Sequence, residues 1–384
     1  MTQEATAGRT EILGHAAVRA AAKDFETYSS DLQGDRDVRS YRQLPLEADP
    51  PRHTLFREAL QPMFMGAAIE PYVPQFQELA RRLIGGITAK GGGEIASELA
   101  LPYVMGCLTI IYHRPQDFHE WASWGPDVWT ADAYAKGELT PESHRALRER
   151  DFSAASQRSG ATLQAYLERV FAEAEQVEKD PAEFDVWDRI ARLEVGGQPV
   201  TRDEMYGIAN VLLAGGRDTV IKLVTGIVWH LINRPDDRTY LAENPDAFSR
   251  AFAELVRYLS PLPKMERIRR DPVSGVPAEP TEADYVVLSY VSGNHDRSVW
   301  PDADQLDIHR PRKPHLAFGF GRHSCMGMNI AEHEARTFLN VLASEWPGWE
   351  FDGEPKIDWA TEQGVDGPFQ VIDRFDEVRV KVAR

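Results

Sequence analysis

The pattern of apolar and polar positions along the chain predicts a mainly helical protein. Residues 71–90, 141–179 and 181–193 show apolar positions at helical spacing or are rich in charged residues, as amphipathic helices are. Runs of β-branched and aromatic residues at 285–290 and 377–382 predict short strands. The apolar run at 101–111 is too short to span a bilayer. We therefore expect an α+β fold, mainly α with small β-sheets, and no membrane segment.

One predicted helix contains residues that helices usually avoid. Thr201 and Glu204 form the capping-box pattern that begins a helix, and few breakers follow until about residue 233. Gly215 and Gly216 are adjacent within it, and each costs about 1 kcal/mol relative to alanine. The Thr219 hydroxyl can bond to the carbonyl four residues earlier, which loosens the helix and opens a groove. A helix that keeps such residues usually needs its backbone to be accessible there.

A glycine-hinged loop near the C-terminus presents one cysteine. It reads Phe-Gly-Phe-Gly-Arg-His-Ser-Cys-Met-Gly over residues 318–327. Gly319 and Gly321 allow a turn that side chains would forbid, and Gly327 lets the next helix pass close to a flat cofactor. Backbone N–H groups and the helix start favour negative charge on the Cys325 sulfur, the form that binds a metal. The alternative is a glycine-rich turn around a buried structural cysteine.

This loop closely resembles the haem-binding signature of the cytochrome P450 family, Phe-Gly-x-Gly-x-His-x-Cys-x-Gly. The resemblance implies a cytochrome P450-like fold with a long central helix over the haem, and haem b (iron protoporphyrin IX) as cofactor. Cys325 would be the iron ligand. The residues that would shape the haem site around it are Phe318, Gly319, Gly321, His323 and Gly327. The resemblance covers nearly the whole chain, which we expect to form a single haem domain over residues 1–384.

Residues 215–219 match the family's [Ala/Gly]-Gly-x-[Asp/Glu]-Thr motif position for position. The resemblance implies that Gly215 and Gly216 leave room for dioxygen. Asp218 and Thr219 would be the acid and the alcohol that relay protons to it. Taken alone, this segment fits a buried, kinked helix with a salt bridge equally well.

A Glu-x-x-Arg pair precedes the cysteine loop. Glu254 and Arg257 share one helix face, and on its own such a pair would be a solvated ion pair worth tenths of a kcal/mol. In the family the pair is buried and is joined by an arginine that Arg310 matches in position. The resemblance therefore implies that these three residues are structural supports of the haem loop.

Haem propionates need charge-assisted donors where they are partly buried. The resemblance places four candidates: His53 and Arg57 on one helix face, Arg267 on a strand, and His323 in the cysteine loop. Each alone would be read as a surface charge. Two further arginines crowd Arg267 in sequence.

Composition limits the function further. The 384 residues contain no linker or repeat that would divide them, and the two cysteines suggest no disulfide framework. Cys107 lies in an apolar run, which predicts a buried structural thiol. The N-terminus lacks a signal-peptide pattern, so we expect a cytoplasmic protein of bacterial type. The net charge of −17 argues against nucleic acid as a partner.

Basic residues nevertheless cluster in sequence around the cysteine loop, at Arg310, Arg312, Lys313, His315 and Arg322. They fit a solvated surface as well as a docking face. In the family this face receives an electron-transfer protein, so the resemblance implies a ferredoxin or flavodoxin-type donor with its reductase. No iron–sulfur or flavin domain follows in the chain.

The chain departs from the family at its N-terminus. Family members usually have a further helix and two strands before the segment that residues 14–25 resemble, and here almost nothing precedes it. We expect that N-terminal helix and the first strands to be missing, either because the protein dispenses with them or because the sequence is a shortened form, and this affects the substrate entrance.

The resemblance implies a haem-thiolate monooxygenase that hydroxylates, or oxidatively dealkylates, a small to medium hydrophobic substrate, aromatic compounds included, with O2. The pocket would draw on mostly apolar residues, as ligand cavities do. They are Tyr41, Leu44, Leu46, Ile208, Val211, Leu212, Leu262, Pro263, Met265 and Phe369.

Three other hypotheses use the same residues. A peroxide-driven relative would not be expected to keep the pair Asp218 and Thr219, and a non-catalytic haem protein leaves that pair unexplained. A zinc site is the third, with admissible ligands in His309, His315, His323 and Cys325, although their spacing follows no finger pattern.

Overall fold

The computed structural model describes residues 9–31, 41–123, 152–271, 274–276 and 281–383. Most of these residues are helical, as the apolar pattern predicts. In chain order the helices are α1 (His15–Lys23), α2 (Arg52–Leu60), α3 (Gly66–Ile69), α4 (Val73–Ala89), α5 (Leu101–Ile111), α6 (Phe118–Ser123), α7 (Phe152–Gln176), α8 (Val186–Ala191), α9 (Arg202–Gly215), α10 (Asp218–Asn233), α11 (Pro235–Glu243), α12 (Phe248–Leu259), α13 (Tyr290–Asn294) and α14 (Met328–Ser344).

The strands form small sheets at the edges of the helical body. They are β1 (Thr10–Ile12), β2 (Tyr28–Ser29), β3 (Gly92–Glu94), β4 (Glu194–Val195), β5 (Gln198–Pro199), β6 (Lys264–Arg269), β7 (Tyr285–Ser289), β8 (Trp349–Phe351), β9 (Lys356–Gly364), β10 (Gly367–Glu377) and β11 (Arg379–Val382). One sheet has the order β1-β7-β6-β2, with β1 parallel to β7 and the other pairs antiparallel. A second has the order β3-β11-β8, while β9 pairs with β10 and β4 with β5.

A large apolar core joins the helices that surround the site. α10 packs against α12 and α14, and α5 packs against α4 and α10. Leu108, Val224 and Leu339 are at most 1% exposed within it. Since α9, α10 and the start of α14 all border this core, it fixes how the glycine pair and the cysteine loop face each other.

The predicted helices agree with the structure except in one important place. The predicted helix at 71–90 corresponds to α4, and that at 181–193 contains the shorter α8, which Asp185 caps. Residues 141–151 of the third predicted helix lie outside the described residues, and α7 continues it. The single helix, loosened near Thr219, that was predicted to continue from 201 to about 233 is instead two helices, because the backbone leaves helical geometry at Arg217 (φ −98°, ψ −80°).

The expectation that the first strands are missing is wrong for one strand, since the described residues include a single strand before α1. β1 precedes α1 and pairs in parallel with β7, so that Glu11 lies opposite Val287. The segment is too short for a periodic pattern. Its strand conformation comes from hydrogen bonding to the buried strand β7, which the local sequence does not encode.

None of the helices in the described part of the chain is both long and apolar enough to cross a membrane.

Candidate functional site

The cysteine loop is a tight turn held by its own backbone. Gly319 and Gly321 have positive φ angles of 67° and 75°, and the Cys325 N–H donates to the Phe318 carbonyl at 2.8 Å. α14 begins at Met328, directly after Gly327, whose missing Cβ would lie 3.7 Å from the Cys325 sulfur. The loop therefore presents the sulfur at the start of a helix with an open face beside it.

The surroundings of the Cys325 thiol act on its pKa in both directions. Burial among protein groups raises the pKa above its ordinary value. The backbone N–H groups of Gly327 and Met328 donate to the sulfur and, with the positive charge of Arg57, lower it. Such donors stabilise a thiolate, the form that binds a metal.

Arg57 connects α2 to the cysteine loop. Its guanidinium donates to the carbonyl oxygens of Arg322 at 2.9 Å and Ser324 at 2.6 Å. The sequence predicted a propionate donor at this position. The structure adds a contact that holds the loop against α2, which the sequence did not reveal.

The junction of α9 and α10 has an open backbone. The Thr219 hydroxyl donates to the Gly215 carbonyl at 3.2 Å, which is the bond to the residue four earlier that the sequence predicts. The Asp218 carboxylate pairs with the guanidinium of Arg217 at 2.9 Å, and Asp218 is exposed while Arg217 is buried. The junction thus combines an acid, a hydroxyl and a side-chain-free backbone.

These two elements border one cavity of about 400 Å³. It is lined by Cys325 and its loop on one side and by residues from Val211 to Leu223 on another. The predicted site residues that line it are His53, Arg57, Gly215, Gly216, Asp218, Thr219, Arg267, Phe318, Gly319, His323, Cys325 and Gly327. Gly321 does not line it, since its missing Cβ would point at the Ala22 carbonyl, 2.8 Å away.

Two histidines meet at the edge of this cavity. The rings of His53 and His323 lie 4.2 Å apart between centroids. Burial, and then nearby arginines, lower the pKa of His53 to about 4; burial lowers that of His323 to about 2. Both nitrogens of His53 and Nε2 of His323 are buried without a hydrogen-bond partner in the described residues. Buried polar atoms of this kind normally have a partner.

Arg267 borders the cavity, whereas the cluster around Glu254 does not. Arg267 is 3% exposed and borders the cavity. Glu254 receives two bonds from Arg257, both at 2.8 Å, and one from Arg310 at 3.2 Å. Arg310 also donates to the carbonyls of Pro301 and Asp302. The three predicted structural residues therefore lie together in one cluster that does not line the cavity, with Glu254 and Arg257 buried and Arg310 half-buried.

Half of the predicted substrate pocket borders the cavity. Leu46, Val211, Leu212, Leu262 and Met265 line it. The other five predicted residues lie elsewhere. Tyr41, Leu44 and Ile208 are packed in the core, the Pro263 carbonyl accepts from Val291, and Phe369 stacks on His295 at 4.9 Å.

Several lining residues were missed by the sequence analysis. Phe64, Leu108 and Tyr112 are the main ones, and they come from segments before and within the α5 region. Leu108 approaches the glycine pair, since a Cβ on Gly216 would lie 3.3 Å from its Cδ2. The apolar run at 101–111 signalled burial, but nothing in it indicated which residues face a cavity.

The residues present fit a haem group. The thiol on one wall of the cavity suits an iron atom, and the apolar side chains around it suit a flat ring. The unpartnered histidine nitrogens and the buried Arg267 at the edge suit the propionates. In the described ranges, no group of three or more His, Cys, Asp or Glu side chains is placed to hold a metal ion. The zinc hypothesis therefore lacks its ligand cluster among these residues.

Comparison with known proteins finds a matching family model and similar curated proteins. The family model described as Cytochrome P450 matches residues 251–345. The chain is 28% identical over 357 residues to cyclomarin C epoxidase of Salinispora arenicola, covering 91% of this chain and 86% of the relative. It is 26% identical over 300 residues to linalool 8-monooxygenase of Pseudomonas putida, covering 78% and 70%.

Solved structures that resemble this chain are also P450 proteins. A structure described as a carbohydrate active P450 is 26% identical, with a TM-score of 0.78, and the match covers 97% of this chain and 91% of that one. The substrate-free structure of another P450, from Bacillus megaterium, has a TM-score of 0.79 at 18% identity, covering 99% and 94%. These matches confirm the mainly helical fold with small sheets.

Proposed function

We propose a reaction and a substrate class for this chain, which belongs to the cytochrome P450 family and is a haem-binding monooxygenase. It hydroxylates or oxidatively dealkylates a small to medium hydrophobic substrate, aromatic compounds included. Dioxygen would be the oxidant, and electrons would come from a separate redox partner. The observation that carries this proposal is that Cys325, Asp218, Thr219 and apolar side chains all border the same cavity.

Bound haem supplies the activation of dioxygen and the oxidation of a carbon–hydrogen bond. Cys325 would hold its iron, and the N–H groups of Gly327 and Met328 stabilise the charge on the sulfur. His53, His323 and Arg267 would hold the propionates. Arg57 keeps the loop in place through the carbonyls of Arg322 and Ser324. We propose haem b, since the site needs no covalent attachment to explain its residues.

Asp218 and Thr219 would deliver protons at the open junction of α9 and α10. The Thr219 hydroxyl is held by the Gly215 carbonyl, so its oxygen has lone pairs available toward the cavity. Asp218 is exposed and paired with Arg217, so its carboxylate can exchange protons with water and pass them inward when it turns from that partner. The pair favours O2-dependent chemistry over the peroxide-driven alternative.

The lining supports a hydrophobic substrate. Leu46, Val211, Leu212 and Leu262 come from three different segments and converge on the cavity, and Met265 adds an adaptable side chain. An apolar compound would displace water from these side chains and be held beside the junction of α9 and α10, where Asp218 and Thr219 border the cavity.

The redox partner would dock on the face that carries the cysteine loop. Arg312, Lys313 and Arg322 are exposed, whereas Arg310 is half-buried and paired with Glu254, and His315 is half-buried. The basic docking face is thus smaller than the sequence cluster suggested. We propose an acidic ferredoxin or a flavodoxin with its reductase, attracted by these three charges. The cytoplasmic location and the single domain over residues 1–384 stay predictions.

The test is the absorption spectrum of the reduced, carbon monoxide-treated protein. Thiolate ligation gives the red-shifted band after which the family is named, and Cys325→Ser should abolish it. Cys107→Ser is the matched control, because Cys107 is buried away from the cavity and should leave the band unchanged. A red-shifted band that survives Cys325→Ser would refute the ligand assignment.

Substrate class is tested by titrating hydrophobic compounds into the ferric protein and following its spin-state shift. Leu212→Phe should weaken binding of the larger ligands by reducing the cavity. A shift caused by polar sugars and by no apolar compound would refute the hydrophobic assignment.

A further inference from the structure

A second cavity of about 350 Å³ lies beside the first. It is formed by the segment that follows α2, by α3, by the end of α5 and by α8. Phe64 and Tyr112 line both cavities, so these two buried rings form the wall between them. Its volume is within the range of small-molecule sites, about 300–1,000 Å³.

The inner part of the second cavity is apolar and firmly packed. Ile69, Phe64 and Val186 are 0%, 3% and 6% exposed. Tyr112 is held in the wall by edge contact with Trp121, with ring centroids 6.2 Å apart, and by its hydroxyl near the Leu212 carbonyl at 3.4 Å. An alkyl or aryl group would therefore meet a fixed apolar surface.

The mouth of the cavity is polar and basic. Arg189 is exposed at its edge, and its Nε donates to the Phe184 carbonyl at 3.1 Å. Among the described residues, no carboxylate forms an ion pair with this guanidinium, which leaves its two terminal nitrogens available. Tyr72 and His113 stand at the same mouth and share a hydrogen bond of 2.7 Å.

His113 has a backbone conformation that glycine usually adopts. Its φ is +55°, at the end of α5, where helices commonly place a glycine. A histidine there carries a conformational cost that glycine would avoid, and strained residues of this kind cluster at binding sites. The chain keeps an imidazole at the mouth despite that cost.

We propose that the second cavity binds a small amphipathic carboxylate, with its hydrocarbon part against Phe64, Ile69 and Val186 and its carboxylate at Arg189. Arginine suits this role because its terminal nitrogens can donate two parallel bonds to a carboxylate. Tyr72 adds a hydroxyl beside the charge. This site is separate from the monooxygenase site and does not depend on the reaction catalysed there.

The binding test uses octanoate and its neutral counterpart 1-octanol. Isothermal titration calorimetry is performed on the haem-loaded protein saturated with 4-phenylimidazole, which occupies the first cavity through the iron. Octanoate should bind with an affinity at least about tenfold higher than that of octanol, since a hydrogen bond to a charged group adds about that factor. Equal affinities, or no binding of octanoate, would overturn the proposal.

Variants locate the ligand. Arg189→Gln should reduce octanoate affinity about tenfold and leave octanol unchanged, whereas Arg82→Gln, the same change on an exposed face of α4, should alter neither. Ala68→Phe should weaken both ligands because it fills the cavity, and half-exposed Ala68 can be enlarged without entering the core. Ala68→Met is a smaller filling change in case the phenylalanine disturbs folding, which circular dichroism would reveal.

Two results would refute the assignment. Octanoate binding that Ala68→Phe and Ala68→Met leave intact would place the ligand elsewhere. Octanoate binding that Arg189→Gln leaves unchanged would remove the carboxylate recognition.

Discussion

The burial of Glu334 predicts how the free energy of unfolding changes with pH. It lies on α14 and is 0% exposed, and neither carboxyl oxygen has a hydrogen-bond partner in the described residues. Burial raises the pKa of Glu334 well above its ordinary value of 4.5. Tyr103 and Cys107, which interact with it electrostatically, are also buried, and burial raises the pKa of each. Glu334 therefore keeps its proton to a higher pH in the folded protein than in the unfolded chain.

The raised pKa makes stability fall as pH rises. Below pH 4.5 the carboxyl is protonated in both the folded and unfolded states. Above it the unfolded state releases the proton and the folded state keeps it, so the free energy of unfolding decreases until the folded pKa is reached. Between pH 5.5 and 6.5 the unfolded state has released nearly all of this proton, so a folded state that keeps it loses on the order of 1 kcal/mol of stability over that interval.

Glu334→Gln should remove this contribution to the pH dependence. Glutamine resembles the protonated acid in shape but does not titrate. Its own burial changes the free energy of unfolding by the same amount at both pH values. The difference between wild type and variant should therefore change by on the order of 1 kcal/mol between pH 5.5 and 6.5, with the variant relatively more stable at the higher pH.

The assay is equilibrium urea unfolding of both proteins at the two pH values, with equal haem loading. Glu332→Gln is the matched control, because Glu332 lies on the same helix but pairs with Arg336 near the surface at 3.1 Å. Its effect should differ little between the two pH values. If Glu334→Gln shows the same pH dependence as wild type, Glu334 is ionised or hydrated in the folded state and the reasoning is wrong.

Three further predictions concern other parts of the chain. Glu254→Gln should lower the free energy of unfolding by about 3–5 kcal/mol, because it leaves Arg257 charged and buried without its partner. Chemical denaturation measures this free energy, and a loss below 1 kcal/mol would contradict the prediction. Gly207→Ala should destabilise strongly, since its Cβ would lie 1.9 Å from a backbone carbonyl oxygen, while Gly85→Ala in the open middle of α4 should stabilise by about 0.5–1 kcal/mol in thermal melts. Thr219→Ala should reduce product formation while electrons are lost as peroxide, and tightly coupled turnover in that variant would remove Thr219 from proton delivery.

The sequence indicated the parts of the site that depend on local chemistry. Gly319 and Gly321 predicted a turn with positive φ, and the structure has it. Thr201 and Glu204 predicted the start of a helix, and both reciprocal cap bonds are present. These features could be read from the sequence because neighbouring residues alone determine whether such turns and caps form.

The break between α9 and α10 was only half visible in the sequence. The bond from Thr219 to the Gly215 carbonyl was predicted, but the helix was expected to continue through residues 216 and 217. Two glycines and a threonine weaken the helix ladder. Whether it bends or breaks depends on the neighbours that pack there, such as Leu108 against Gly216.

Only the tertiary structure decided which apolar residues face the cavity and which fill the core. Ile208 and Leu212 lie one turn apart on the same helix, yet Ile208 is packed in the core and Leu212 borders the cavity. Apolar periodicity shows that a residue is buried but not what it is buried against, because that depends on how distant helices pack. For the same reason the sequence did not reveal that Phe64 and Tyr112 form the wall between the two cavities. The cysteine loop, whose chemistry is local, could be recognised from ten consecutive residues.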